Sequence, residues 1–358
     1  AASFTGNGAV SAASDVSVTS STSTALLSTT TASAGNVTVA AGTSAQLVGD
    51  VTSGIDTTIT AGTTAAIEQN VTAGGNYSVT GGTGVALGDA MARTQAAGGA
   101  VTITATSGDV AQGTGRLTVV SNSDVTGTEM LTIAAQAGNI VLANSQLTGG
   151  SVAGRESDVV LTASGAITAD DLDGDRVALS AAGDILADTI EAGTGAADLG
   201  DLAERQSIDI VSTGGSVTLN TASALGAGHD IDVRASAGLT VNSLSAGGSL
   251  VGRAGNAIAI GTASAGEDVA LRSNTGTITV TGATTAGDDV LLTAAGAIAT
   301  GSVTASGTGP DTRTVVFGAG ALDAAYAAES NAGGDIVASS TAASFTGNGA
   351  VSAASDVS

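Results

Sequence analysis

Between Gly266 and Gly309 the chain reads GEDVALRSNTGTITVTGATTAGDDVLLTAAGAIATGSVTASGTG, and apolar residues return in it at fixed offsets. Val269-x-Leu271 follows a turn of Gly and acidic residues, and Ile278-x-Val280 comes next. A second turn, GDD, opens onto Val290-x-Leu292, with Ile298 and Val303 behind it. The offsets 0/+2, +8 and +13 recur from Val159, Val177 and Ile231, and the cycle restarts about every twenty residues. Period two within each short run marks a strand with one inward face. A fixed cycle of this length marks a coil in which each repeat buries its inner face on the next. The pattern predicts an all-β protein, a parallel three-sided β-helix (a β-solenoid) of about fifteen turns with a few short surface-loop insertions. Parallel strands joined by crossovers favour a right-handed coil.

In chain order, turns start at Val16, Val37, Thr57, Tyr77 and onward to Val290, Val315 and Ile336, with Leu117-x-Val119 as an alternative start in the middle. Longer steps predict loops at Gly88–Gly98, Ser121–Met130, Ala192–Ser207 and Ser306–Thr314. Two Ala-rich stretches, 196–205 and 321–330, have helical spacing and predict short surface helices.

Residues 1–17 and 342–358 are the same sequence, AASFTGNGAVSAASDVS. Identity over seventeen residues at an offset of 341 predicts that residues 1–341 are one unit of a tandem array and 342–358 start the next. The steps from Val16 to Val37 and from Ile336 to Val357 keep the same spacing across that join.

Composition supports a narrow column over a wide globular core. Gly accounts for 53 of 358 residues, aromatics for 1%, and there is one Pro and no Cys. A solenoid interior fills with stacked Val, Ile, Leu and Ala and needs few aromatics. Mean hydropathy of +0.36 argues against disorder. Thirty-two acids against nine bases give a net charge of −23, and every base is Arg. Nucleic acid and anionic lipid are therefore disfavoured partners. No apolar run reaches the roughly 18 residues of a membrane span, so no membrane insertion is expected.

The cycles GDDVLLTAAGAIATGSVTA and GHDIDVRASAGLTVNSLSAGG resemble the repeats of filamentous-haemagglutinin-type and other giant bacterial surface adhesins, over nearly the whole chain from Asn36. The resemblance implies a β-helical shaft projecting from a bacterial surface. The expected partners are successive copies of the unit, with a cell-surface or polysaccharide partner beyond them.

Chemistry-bearing residues are few. Catalysis on a β-helix needs clustered carboxylates, a nearby base and sugar-stacking aromatics; no catalytic residue is assigned. The one His, His229, lies in a Gly-His-Asp corner and is expected to be a solvated turn residue. Asp170, Asp171, Asp173 and Asp175 form DDLDGD, expected to be a tight acidic turn, and Asp171, Asp173 and Asp175 are the calcium candidates. EF-hand order is missing, since Gly174 and Ala182 stand where that loop needs other residues. Corner acids such as Asp230, Asp268, Asp289 and Asp335, with Asn36 and Asn76 at equivalent places, are expected to bond their own local backbone. Thr-x-Thr pairs at Thr58, Thr102 and Thr277 are read as ordinary outward strand residues, neither consecutive nor in every turn. Asn36, Asn70 and Asn76 head glycosylation sequons. The expected role is a structural shaft segment of an extracellular fibre, without cofactor; the alternative is a β-helical carbohydrate-active or carbohydrate-binding module.

Overall fold

The inward side of a three- to five-residue strand buries little by itself, so each must stack on its equivalent one cycle away. The computed structural model describes residues 3–121, 130–149, 158–193, 206–307, 313–318, 322–328 and 334–358. The protein is an all-β, parallel β-solenoid of about 13 turns, close to the predicted count, with no helix among the described residues. It forms two compact units, Ala1–Asp175 and Arg176–Ser358.

In the first unit, each early turn carries three strands. Val37–Ala41 leads to Ala45–Leu47 and Val51–Ser53, and the next turn repeats this at Thr57–Ala61, Thr64–Ile67 and Val71–Ala73. Val37 stacks on Thr57, Ala45 on Ala65 and Val51 on Val71, all in parallel register. Val37, Val39 and Ala41 face inward while Thr38 and Ala40 face out, as period two requires. Tyr77 fills its column by donating its hydroxyl to Gln95 Oε1 at 2.8 Å, both side chains fully buried. Burial without a charged partner raises the phenol's proton affinity far above its usual value. Leu117 does not start a turn. Leu117–Ser121 pairs with Arg93–Ala97, which makes it the third strand of the turn begun at Val101. The loop predicted at Gly88–Gly98 is shorter than expected: Gly88 has φ 72°, Arg93 closes the loop on Asp89 at 2.7 Å, and Arg93–Ala97 is already the third strand of its turn.

From Ile140–Gly149 and Ile167–Gly174, late in the first unit, and on through much of the second, the second and third strands merge. Ile185–Ala192, Val217–Ala224, Leu239–Ala246 and Ile258–Ala265 stack in parallel, Ile185 over Val217 and Ile190 over Ala222. The +8 and +13 positions, Ile185 and Ile190, are buried as predicted. The corner between them is a bend in one strand, made where two successive residues face out. Asn220 and Asn242 occupy that bend on adjacent turns, and Asn242 Nδ2 donates to Asn220 Oδ1 at 2.8 Å. Later turns split again, as at Ile278–Val280 and Thr284–Ala286. At the following corner Gly247, Gly266 and Gly287 stack. A Cβ on Gly266 or Gly287 would collide with the carbonyl oxygen of the glycine one turn before.

Two expectations near the end are corrected. Val315 starts no turn, because Val290–Ala294 pairs directly with Ile336–Ser340. Val315 belongs to Arg313–Phe317, which forms an antiparallel hairpin with Ala324–Ala328. The helix expected at 321–330 is therefore a strand there. Alanine fits either period, and the partner strand, invisible to local spacing, decides. The other expected helix, 196–205, lies outside the described residues.

Candidate functional site

Every corner poses one problem: a strand must begin with its N–H groups satisfied where the chain turns. The Asp and Asn side chains solve it between turns and not locally, contrary to expectation. Asp15 Oδ1 accepts from Asn36 N at 2.7 Å, Asn36 Oδ1 from Asp56 N at 3.1 Å, and Asp56 Oδ1 from Asn76 N at 2.7 Å. Asn76 Oδ1 then accepts from Ala100 N at 2.9 Å. In the second unit Asp268 Oδ1 accepts from Asp289 N, Asp289 from Asp335 N and Asp335 from Asp356 N. Each ladder is directional, with the side chain of one turn always receiving the N–H of the next. Asn36 and Asn70 also donate through Nδ2 to Asp15 and Asp50. Two of the three sequon amides are thus already committed, and Asn76 is held through its Oδ1.

The calcium candidates sit differently from the expected turn. Asp171 and Asp173 lie in the strand Ile167–Gly174 on either side of inward Leu172, and Asp175 follows it. Arg116 reaches Asp171 at 3.1 Å, so that carboxylate has a cationic partner already. His229 is a correction: it is 2% exposed, not solvated. Its Nδ1 shares a hydrogen bond with the buried Ser207 hydroxyl. Gly193 and Gly226 leave space for the ring, since a Cβ on either would strike it. The threonines are also more regular than the local pattern suggests. Thr58/Thr60, Ser78/Thr80 and Thr102/Thr104 stand on successive turns of one outer face. Ala40 and Ala134 interrupt the second of these columns.

Charged residues also gather in the second unit, on the outer face of the first strands. Asp209 and Asp232 are in register on adjacent turns, as are Arg234, Arg253 and Arg272 on three. Arg253 is ion-paired with Asp232 and 5% exposed, and Arg176 lies 3.6 Å from Asp209. Burial, then the neighbouring Asp232 charge, raises the Asp209 pKa above the ordinary carboxylate range, against the pull of the arginines. A carboxyl group of raised proton affinity beside a second carboxylate has the makings of a general acid. Here, however, both are occupied by guanidinium groups, and the array is a charge ladder built from stacked turns.

The hairpin docks next to it. Val315 packs on Val251 and Ala270, and Leu291, Phe317 and Ala324 close around them. Arg253 Nη1 donates to Leu322 O at 2.7 Å and Arg272 Nη1 to Gly318 O at 2.8 Å, with Arg272 also 5.5 Å over the Phe317 ring. Asp268 Oδ2 receives Val315 N at 2.9 Å. Beside the hairpin a cavity of about 110 Å³ is lined by Asp268, Asp289 and Asp335 together with Ala270, Leu291 and Val315. Asp268, Asp288 and Asp289 each bring a carboxylate oxygen within 4.8 Å of the others, a donor set suited to a hard cation.

Sequence spacing missed this region although it carried a signal. In the first strands the outward residue between the two inward ones is Ser, Thr or Asp in most turns. It is apolar at Val160 and Ala178, and then in four consecutive turns at Val251, Ala270, Leu291 and Val337, the longest such run. Apolar residues on both faces of a strand mean that both faces are covered. No protein-family model, curated protein or solved structure matches this chain, so its reading rests on its own residues.

Proposed function

We propose that this chain is a shaft segment of a long, tandemly repeated fibre on a bacterial cell surface, used for attachment, cell–cell contact or matrix building. One observation carries the proposal: residues 1–17 and 342–358 are identical and build the same strands. Phe4–Gly6 and Val10–Ala12 recur as Phe345–Gly347 and Val351–Ala353. Val357 stacks on Ile336 as Val37 stacks on Val16. A solenoid gains stability with each added turn, because the new turn buries apolar surface and completes backbone hydrogen bonds along the axis. A net charge of −23 keeps such fibres soluble and apart from one another. In this reading the chain performs no catalysis, and the Asp209–Asp232 pair is part of the shaft wall. The resemblance to giant adhesin repeats supports the same role, with export to the surface as its setting.

The test is the mass of the protein from its native source under denaturing conditions. A tandem array runs as one very large polypeptide. A band near the 33.4 kDa of this chain would mean separate subunits and would end the proposal.

A further inference from the structure

We infer that the outer edge of turn 342–358 is a binding face for the segment equivalent to residues 18–41, so that successive units join as one uninterrupted coil without a linker. This rests on the shaft reading and names the contacts at its joint.

The argument is a substitution of one known interface for another. Turn 1–17 receives residues 18–41 on one side, with Phe4 over Ala25, Val10 over Thr30 and Val16 over Val37. The N–H groups of Phe4, Val10 and Val16 donate to the carbonyls of Thr24, Thr29 and Asn36 at 3.1, 2.9 and 2.8 Å. Ser28 N and Ser33 N return bonds to Gly6 O and Ala12 O. Asp15 Oδ1 takes both N–H and Nδ2–H of Asn36.

Turn 342–358 has the same sequence and is seated from the other side. Ile298 N donates to Ser344 O, Val303 N to Ala350 O and Ile336 N to Asp356 O, and Asp356 N donates to Asp335 Oδ1. Its orientation in the stack is therefore that of every other turn, and the ladder reaches Asp356 running in the same direction. The side chains that would meet the following turn, Phe345, Val351 and Val357, are 39, 37 and 59% exposed. The same residues in the same two strands offer the same edge, and the segment that covers that edge on turn 1–17 is in view. The occupant is thus a copy of residues 18–41, carried by the next unit, with Asp356 receiving the N–H of the residue equivalent to Asn36.

The test extends the 358-residue protein by a copy of residues 18–41 placed after Ser358, with a scrambled 24-residue extension as control. Amide hydrogen exchange is read at Phe345, Val351 and Val357. The matched extension is expected to slow all three by at least ~100-fold, the scale of two or more newly closed hydrogen bonds with their packing, and the scrambled one to leave them unchanged. Asp356→Ala in the extended chain is expected to give back about 5-fold of that protection, one hydrogen bond's worth. Unchanged exchange with the matched extension, or equal slowing by both extensions, overturns the inference. Its failure is distinct from failure of the shaft reading. A giant native chain whose matched extension gives no protection has units joined by a linker. A short native chain whose extension does give protection has the edge but not the array.

Discussion

At the scale of single residues, the corner ladders show how little of a turn is local. Asn36 gives its Oδ1 to Asp56 N and its Nδ2 to Asp15, and so ties three successive turns together. Asn36→Ala should destabilise the first unit by about 1–2 kcal/mol, the loss of two exposed-edge hydrogen bonds, while Asn36→Asp keeps the acceptor and should recover roughly half. Chemical denaturation midpoints measure both; equal losses in the two variants would show that the amide's acceptor role contributes nothing. Asp209 makes a different prediction, with the opposite sign from most acids. Its folded-state pKa is raised, so ionising it opposes folding. Stability from this group is highest below the ordinary carboxylate range and declines as pH rises through its raised folded value. Asp209→Asn should therefore gain on the parent protein as pH increases toward neutrality and show no gain in acid. Thermal melts across that range check it, and a pH-independent difference would contradict it.

At the scale of elements, the strands of the coil and the places of the longer insertions after Gly88 and Ser306 were readable, but what the last insertion forms was not. Val269, Ile278, Val290 and Ile298 are all buried, as their spacing required, because an inward residue on a period-two strand has no other place to go. The hairpin has no such constraint. Its strands Arg313–Phe317 and Ala324–Ala328 obey each other and the apolar shelf of Val251, Ala270 and Leu291, none of which is near in sequence. Val315 is 3% exposed at the centre of that contact. Val315→Asp should cost the hairpin about 2–3 kcal/mol of docking free energy, from lost apolar burial and from the adjacent Asp268 carboxylate. Amides of residues 313–318 and 322–328 should then exchange roughly 30–150-fold faster, while those of Val269–Ser273 stay protected. Loss of protection in both would mean the hairpin is integral to the coil and not laid upon it.

At the scale of the whole molecule, each unit is a one-dimensional stack in which the strands of a turn pair with those of adjoining turns, and surface groups such as Arg116 and the docked hairpin reach further. Such an architecture has no intrinsic length, and in the proposed tandem array the repeated seventeen residues would set the period at 341. The native polypeptide should accordingly grow in steps of one such unit between related fibres, a ladder that denaturing mass measurement resolves. The charged surface fits this arrangement, since like-charged shafts resist lateral collapse.

The repeated offsets of Val, Ile and Leu by themselves determined that the chain is a parallel coil, which residues point inward and roughly how many turns there are. Those properties follow from geometry within one cycle: side chains alternate along a strand, and the cycle length fixes which residue lies above which. Tertiary structure alone decided that His229 is buried with Ser207, that corner side chains reach the next turn, that two strands merge at the Asn220–Asn242 bend, and that an alanine-rich segment becomes a strand over Val251 and Ala270. Each of these depends on a partner one or more turns distant, whose position exists only after the stack has formed.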